Sequence, residues 1–223
     1  MATYISNHHL QCSTHNTYTV FFSSDTILTT VTRDAATVSR WISEIRSMYE
    51  FCRLIVGLDV EWRPSYAQTQ NPVATVQICV DRRCLIYQII HTDYIPQTLH
   101  DFLSDSSFTF VGVGVQSDLD RLDAEYGIGR YARVVDLRGL AANRLGRPEL
   151  KQVGLKQLVS LVLETEMEKP QRVTMSNWDN CLLTDDQVQY ACIDAFLSFK
   201  IARVLRASDY PPDGLVNLLS SNF

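Results

Sequence analysis

The distribution of apolar and polar positions in the first half of the chain predicts strands separated by one helix. Two β-prone runs around Ser23–Asp25, in "YTVFFSSDTILTTVTR", predict a hairpin. The segment "DAATVSRWISEIRSMYEF" has apolar residues at helical spacing and Asp34 as a candidate N-cap, so it predicts an amphipathic helix. "IVGLDV" predicts a buried strand, while "VATVQICV" and "RCLIYQI" predict a second hairpin. Residues 1–15 are polar, and we expect them to be flexible.

The second half of the chain alternates between apolar runs and amphipathic segments. "FTFVGVGV" and the shorter "RVVDL" predict strands. Helices are predicted for "PQTLHDFLS", "SDLDRLDAEYG", "RGLAANRLG", "GLKQLVSLVLE" and a final segment from about Asp185 to Arg206. This order of elements predicts an α/β fold with a mixed central sheet flanked by helices in a single domain. We place that domain at residues 16–207 and a C-terminal extension at 208–223.

Composition and charge are consistent with a globular domain but do not indicate a function. The 223 residues are 46% hydrophobic and 20% charged, with a net charge of −5, which is ordinary for a globular domain. We expect no signal peptide, because the N-terminal residues lack a basic start followed by an apolar block. We expect no membrane partner, because no apolar run approaches the roughly 20 residues of a membrane helix. The six cysteines form no Cys-x-x-Cys pair and several lie in apolar segments. Free thiols predict a reducing compartment, the cytoplasm or the nucleus.

Two acids, Asp59 and Glu61, follow the buried run "IVGL". On a strand of period two they project from the same face, where two carboxylates repel each other and are costly without a partner. The last helix begins with Thr184 in capping-box spacing, and it carries Tyr190 and Asp194 one turn apart on one face. We expect both pairs of residues to serve a common site.

A third acidic position follows "FVGVGV", where a predicted strand ends and a helix opens with Asp118. Acids at the end of a strand, at a strand-to-helix junction and on a capped helix could meet at one edge of the sheet. Four carboxylates at one place cannot all stay ionised without cations, and hard oxygen ligands favour Mg²⁺ or Mn²⁺. The alternative is an ordinary solvent-exposed strand end.

In order along the chain, "GLDVEW", "GVGVQSDLDRL" and "SNWDNCLLTDDQVQYACIDAF" resemble the three motifs of the DEDDy 3′–5′ exonuclease superfamily. The similarity spans residues 20–206 and extends to the Werner-type exonuclease domain and to small plant homologues, including the RISC-interacting clearing exoribonucleases. This resemblance implies a ribonuclease-H-like fold, with residues 16–207 as the exonuclease domain. It places the four metal-binding and catalytic acids at Asp59, Glu61, Asp118 and Asp194, and the motif tyrosine at Tyr190.

The resemblance implies hydrolysis of phosphodiester bonds with two Mg²⁺ or Mn²⁺ ions. One ion, held by Asp59, Glu61 and Asp194, would lower the pKa of a bound water. The second ion, shared by Asp59 and reached by Asp118 mainly through waters, would stabilise the departing 3′ oxygen. Tyr190 would orient the attacking water, because a phenol with a pKa near ~10 is a poor base.

The same resemblance implies which residues bind the 3′ end of the substrate. Glu61 and the backbone N–H of Val60 would bind the terminal 3′-OH, and Trp62 would pack beneath the last nucleotide. Asp120 competes with Asp118 for the second-motif acid, and we favour Asp118 because it lies four residues after Gly114.

Other residues in the motif regions have simpler interpretations. We interpret Lys169 as a solvent-exposed loop residue, although it could approach the scissile phosphate. Trp178 is interpreted as a packing residue. A basic stretch is the best candidate for contact with a nucleic-acid backbone, and it comprises Arg138, Arg144, Arg147, Lys151 and Lys156.

We expect single-stranded RNA as substrate, with a Werner-like DNA exonuclease and a catalytically inactive scaffold as alternatives. The resemblance to the plant homologues also implies a homohexameric ring and contact with the small-RNA silencing machinery. The N-terminal hairpin and the C-terminal extension would supply apolar contacts for such a ring, unless they dock on the chain's own core. These residues are Val20, Phe21, Phe22, Ile27, Leu215, Val216, Leu218 and Leu219.

Overall fold

The computed structural model describes residues 3–8, 14–49, 53–65, 67 and 69–210. The strands in these ranges are β1 (Thr3–Asn7), β2 (His15–Phe22), β3 (Asp25–Thr32), β4 (Leu54–Trp62), β5 (Val73–Val80), β6 (Arg83–Tyr87), β7 (Phe108–Gly112) and β8 (Val134–Asp136). The α-helices are α1 (Ala35–Met48), α2 (Gln97–Ser104), α3 (Val115–Tyr126), α4 (Leu137–Leu145), α5 (Leu155–Leu163), α6 (Gln171–Thr174) and α7 (Asp185–Val204).

All eight strands join one mixed sheet in the order β1-β2-β3-β6-β5-β4-β7-β8. The first three strands form an antiparallel meander, and β4, β5 and β6 form a second one. Parallel pairs link β3 to β6, β4 to β7 and β7 to β8. The mixed α/β sheet flanked by helices that the sequence predicted is confirmed.

Helices cover both faces of the sheet and bury two hydrophobic clusters. One cluster contains residues of α4, α5 and α7 with the N-terminal strands, and the other contains residues of α1, α2 and α3. Strand β5 lies between the two clusters and is buried at every position. In the described part of the chain, no helix has both the length and the apolar character needed to cross a bilayer.

Helix α7 packs directly on β4, and Gly57 makes this close approach feasible. A Cβ added at Gly57 would lie 2.0 Å from the backbone oxygen of Ala195 on α7. The helix starts where the sequence predicted, since Thr184 and Gln187 form both hydrogen bonds of a capping box. The contact brings Asp194 of α7 over the end of β4 that carries Asp59.

The N-terminus differs from its predicted flexibility. Residues 3–7 form β1, an edge strand whose Ile5 packs against the core and whose Tyr4 stacks on Phe21 with ring centroids 4.1 Å apart. Five residues that alternate between half-buried and exposed are too polar for composition to identify as a strand. The ordered part of the chain therefore starts before residue 16.

Three of the four apolar residues predicted in the N-terminal hairpin dock on the chain's own core, as the alternative interpretation expected, whereas Phe21 is half-buried and stacks on Tyr4, which is 55% exposed. Val20, Phe22 and Ile27 are at most 2% exposed. Of the extension predicted at 208–223, Tyr210 packs in the core beneath Arg144. The predicted apolar contacts of Leu215, Val216, Leu218 and Leu219 lie outside the described residues.

Candidate active site

Three carboxylates converge where the end of β4 meets the middle of α7. One oxygen each from Asp59, Glu61 and Asp194 lies within 4.8 Å of the others. Asp59 and Glu61 project from the same face of β4, as a strand of period two requires, and a bulge follows Glu61. Asp194 is 1% exposed. The structure thus brings together three of the four predicted metal-binding acids.

Burial and mutual repulsion make these carboxylates poor acids. Burial, followed by the charges of Asp194 and Asp118, raises the pKa of Asp59 well above its usual range. Burial and then Asp59 do the same to the pKa of Glu61. The pKa of Asp194 is also raised by burial, although Lys169 counteracts this rise. Protons and a divalent cation therefore compete for these carboxylate oxygens.

The donor atoms fit a hard divalent cation. All three ligands are carboxylate oxygens, which suit Mg²⁺ and Mn²⁺ better than softer metals. Oδ1 of Asp194 is buried and has no hydrogen-bond partner, although buried polar atoms almost always have one. A cation bound between the three side chains would satisfy this oxygen.

Tyr190 lies one helical turn before Asp194 and is 7% exposed. Burial and then the charge of Asp194 raise the pKa of Tyr190, so its hydroxyl stays protonated at neutral pH. A protonated phenol can donate a hydrogen bond but cannot act as a base. Trp178 is fully buried with its ring centroid 5.9 Å from that of Tyr190, and its Nε1 donates to the backbone oxygen of Thr174. Trp178 is thus the packing residue that the sequence predicted.

Asp118 and Asp120 occupy different surroundings on α3. Asp118 is half-buried in the first turn, and its charge contributes to the raised pKa of both Asp59 and Glu61. Burial raises the pKa of Asp118 to about 7. Asp120 is exposed and accepts a hydrogen bond from Gln116, one turn away on the same helix. The geometry therefore favours Asp118 over Asp120, although Asp118 does not belong to the tight cluster of three.

A clamp of polar contacts fixes the start of α3. The carboxylate of Asp136, at the end of β8, accepts hydrogen bonds from the N–H of Gly114, from the N–H of Arg138 and from the guanidinium of Arg138. Gly114 precedes α3 with a φ of +79°, a conformation that favours glycine. Sequence reasoning missed this clamp, because its residues come from separate elements.

The predicted substrate-binding residues next to the cluster have defined partners. Trp62 is half-buried, and the guanidinium of Arg121 covers one face of its ring at 4.1 Å from the centroid. The side chain of Val60 is buried, and its N–H contributes a hydrogen bond to Asp59. Arg121 therefore occupies one of the two ring faces at which the predicted contact with the last nucleotide could form. Sequence reasoning missed this contact, because Trp62 lies on β4 and Arg121 lies on α3.

Lys169 lies in a loop and is exposed, as the sequence predicted, but its side chain has a partner that the sequence did not reveal. Its ammonium forms an ion pair with Oδ2 of Asp194 and lies 5.3 Å from the centroid of the Tyr190 ring. No local signal marks this contact, because Lys169 and Asp194 are 25 positions apart in the sequence.

The predicted basic stretch does not form one continuous cationic surface. Arg138 is bound to Asp136, Arg147 pairs with Glu149, and Arg144 donates to the backbone oxygen of Arg206. Lys151 and Lys156 remain exposed. Intramolecular partners thus occupy three of the five cations proposed for contact with a nucleic-acid backbone.

Comparison with solved structures shows the fold. RNase D of Escherichia coli, described as an exoribonuclease involved in structured RNA processing, superimposes with a TM-score of 0.65 at 18% identity, over 84% of this chain and 48% of that one. NrnC of Brucella melitensis superimposes with a TM-score of 0.60 at 24% identity, over 73% of this chain and 75% of that one.

Comparison with sequences shows the family. A 3′–5′ exonuclease of Arabidopsis thaliana is 40% identical over 154 residues, which cover 68% of this chain and 52% of that protein. The mouse bifunctional 3′–5′ exonuclease/ATP-dependent helicase WRN is 32% identical over 153 residues, 68% of this chain and 11% of that protein. The chain thus spans about half of the plant relative and far less of the mouse one. A family model described as 3′–5′ exonuclease matches residues 29–208, and this chain therefore belongs to the 3′–5′ exonuclease family of DEDDy, ribonuclease-H-like proteins.

Proposed function

We propose that the protein is a divalent-metal-dependent 3′–5′ exonuclease that acts on short single-stranded RNA and releases nucleoside 5′-monophosphates. The observation that carries this proposal is the convergence of three carboxylates from β4 and α7 within 4.8 Å. Asp194 is buried and Asp59 and Glu61 are half-buried, and carboxylates so close together and so poorly hydrated are costly unless a cation binds between them. Membership in the exonuclease family gives this cluster its chemistry.

Each residue of the cluster has a task that its surroundings permit. Asp59, Glu61 and Asp194 would hold the cation, and Asp118 would extend the site toward α3. Two bound Mg²⁺ or Mn²⁺ ions would supply an activated water and offset negative charge at the scissile phosphate. Tyr190 stays protonated, so it would orient the water by a hydrogen bond rather than remove its proton.

The choice of RNA rests on the resemblance of the three motifs to small plant exoribonucleases. The competing choice is DNA, for which the similarity to the mouse WRN protein is the supporting observation. An inactive scaffold is a weaker candidate, because all four acids and the tyrosine of the motifs are present at their positions.

A panel of substrates separates these functions. End-labelled single-stranded and double-stranded RNA and DNA would be incubated with the protein in Mg²⁺, in Mn²⁺ or in EDTA. We expect shortening from the 3′ end with metal only, fastest on single-stranded RNA, with 5′-monophosphates as products. Faster digestion of DNA than of RNA would support the alternative of a DNA exonuclease. The absence of digestion of every substrate would support an inactive scaffold.

Asp59→Asn tests the assignment of the site. Removing the charge at the centre of the cluster should lower turnover by more than about 100-fold, because a metal ligand is lost. The fold should persist, since the amide has the same shape, and circular dichroism checks this. A variant that digests RNA at the parental rate would show that the site is misassigned.

Assembly and cellular context are further proposals that rest on the plant resemblance. We propose a homohexameric ring in the cytoplasm or nucleus, with single-stranded RNA as the bound nucleic acid and the small-RNA silencing machinery as a protein partner. Three of the four hairpin residues that could have formed the ring interface, Val20, Phe22 and Ile27, pack in the chain's own core instead, which weakens that support.

A further inference from the structure

Lys169 lies in the coil between α5 and α6, and its side chain reaches into the acidic cluster. Its ammonium pairs with Oδ2 of Asp194, whose side chain is 2% exposed, whereas 31% of the Lys169 side chain is exposed. Burial alone would lower the pKa of Lys169, yet Asp194, Tyr190 and Asp59 together raise it above its usual range. A protonated lysine therefore supplies a single positive charge beside the three carboxylates.

We propose that Lys169 is a positioning residue that provides the cation of the metal-free site and leaves Asp194 when a divalent ion binds. This inference rests on the metal site of the proposed function. In the metal-free protein Lys169 would hold the Asp194 carboxylate and the adjacent Tyr190 ring in place. Its departure would be part of the metal-binding equilibrium, so it would weaken the apparent affinity for metal.

Two physical arguments support displacement. An ammonium and a divalent ion that both contact one carboxylate repel each other strongly at such short distances. One positive charge also balances three carboxylates less well than a divalent ion does, so metal binding is favoured once the ion is present in sufficient concentration.

The surroundings also offer the ammonium another acidic environment. A cavity of about 520 Å³ adjoins Asp194 and Tyr190, and its lining includes Glu166, Glu168 and Asp186. Two of these acids lie within three residues of Lys169 in the same coil. The lysine would therefore remain near carboxylates after it leaves Asp194.

Lysine labelling of the unmodified protein tests displacement directly. The chain has four lysines, so each is resolved by mass spectrometry after brief acetylation. We expect the labelling rate of Lys169 to rise about threefold or more between EDTA and saturating Mn²⁺, because metal shifts it out of the ion pair. Exposed Lys151 and Lys156 serve as internal references. A Lys169 rate that stays constant or falls would overturn the proposal.

Lys169→Met gives a second readout, with Lys200→Met as its matched control. Lys200 pairs with Asp25 at 2.6 Å, in a contact of similar exposure outside the cluster. Both variants should lower the melting temperature in EDTA. Lys169→Met should lower it by about 5 °C, because the buried carboxylate of Asp194 loses its ion pair. Lys200→Met should lower it by less, because Arg82 still pairs with Asp25 at 3.5 Å. Only Lys169→Met should bind Mn²⁺ more tightly in calorimetry, by about tenfold, because the competing cation is gone.

Further outcomes separate this inference from the proposed function. Lys169→Arg keeps the charge and should retain the parental affinity for Mn²⁺. Unchanged or weaker affinity in Lys169→Met would overturn the role of Lys169, even if the parent binds metal and digests RNA. If neither the parent nor Asp59→Asn binds Mn²⁺, the result contradicts the metal site of the proposed function and not the role of Lys169 alone.

Discussion

Asp118 and Asp120 show how two acids on one helix acquire different properties. Asp118 faces the cluster formed by β4 and α7, where loss of solvent raises its pKa to about 7. Asp120 lies on the exposed side of α3 with Gln116 as its partner. Spacing from Gly114 favoured the same acid, and burial supplies the physical reason for that choice.

This difference predicts opposite results for two alanine variants. Asp118→Ala should reduce metal-dependent digestion by about 100-fold, because it removes a carboxylate next to the metal-binding acids. Asp120→Ala should remain within about twofold of the parent, since an exposed residue away from the cluster contributes little. Digestion rates of purified variants provide the measurement, and the reverse order of rates would transfer the role to Asp120.

Asp118 also predicts how the stability of the metal-free protein depends on pH. Its folded pKa of about 7 lies above the unfolded value near 4. The folded state therefore holds a proton that the unfolded state releases, so this group's contribution to stability is complete below about pH 4 and is lost as pH rises toward 7. The raised pKa values of Asp59 and Glu61 also make the folded state less stable as pH rises.

Melting temperatures in EDTA between about pH 5 and pH 8 check this prediction. Asp118→Asn should flatten the decline, because the amide has no proton to lose, and saturating Mg²⁺ should reverse it in the parent. Asp120→Asn is the matched control and should follow the parent. A decline that Asp118→Asn leaves unchanged would contradict the assignment of the raised pKa to Asp118.

At the scale of elements, the contact between α7 and β4 builds the site. The two acids of β4 and the acid of α7 meet only because the helix backbone approaches the strand at Gly57. With a Cβ at this position, Ala195 and Phe199 on α7 would both have to move. Side-chain positions on each element follow from local periodicity, whereas the distance between the elements depends on one glycine.

Gly57→Ala tests this dependence. Moving α7 outward should destabilise the fold by about 3 kcal/mol, as overpacking of a core does. It should also lower digestion by about 100-fold, because displaced ligands no longer share one cation. Denaturant titration and digestion rates measure the two effects.

Gly139→Ala in α4 is the matched control for Gly57→Ala. No atom lies within 4 Å of the added Cβ at Gly139, so the fold should be unchanged or more stable by about 0.5–1 kcal/mol. If Gly57→Ala had the same stability and digestion rate as Gly139→Ala, close packing at Gly57 would not determine the geometry of the site.

At the scale of the whole molecule, the net charge of −5 and the acidic cluster oppose contact with a polyanion. Divalent ions in the cluster would reverse this sign locally, and the basic stretch adds little because its arginines are engaged within the chain. A neighbouring subunit could supply further contacts to a bound strand, which is the functional argument that remains for a ring.

Light scattering of the purified protein tests the ring. The proposed homohexamer would have six times the chain mass of 25.4 kDa at micromolar concentration. Because most apolar side chains of the N-terminal hairpin are buried in their own chain, we expect the segment after Tyr210 to be required for the ring, and a variant that ends at Tyr210 should have a smaller mass in light scattering. A monomeric mass together with full activity would contradict the proposal.

The sequence by itself determined the order and type of most elements. The hairpins, the caps of α1 and α7 and the buried strand before Asp59 follow from periodicity and local hydrogen bonding, which act over a few residues. The same local rules placed Asp59 beside Glu61 and Tyr190 beside Asp194. Residues 3–7 escaped these rules because their strand depends on pairing with β2.

Only the tertiary structure decided which of these residues meet. The pairing of Lys169 with Asp194, the Asp136 clamp on Gly114 and the cover of Arg121 over Trp62 join positions far apart in the sequence. The raised pKa values of the acids depend on burial, which arises when α7 packs on the sheet. Local sequence sets what a side chain can do, and the packing of distant elements sets its distance and charge environment.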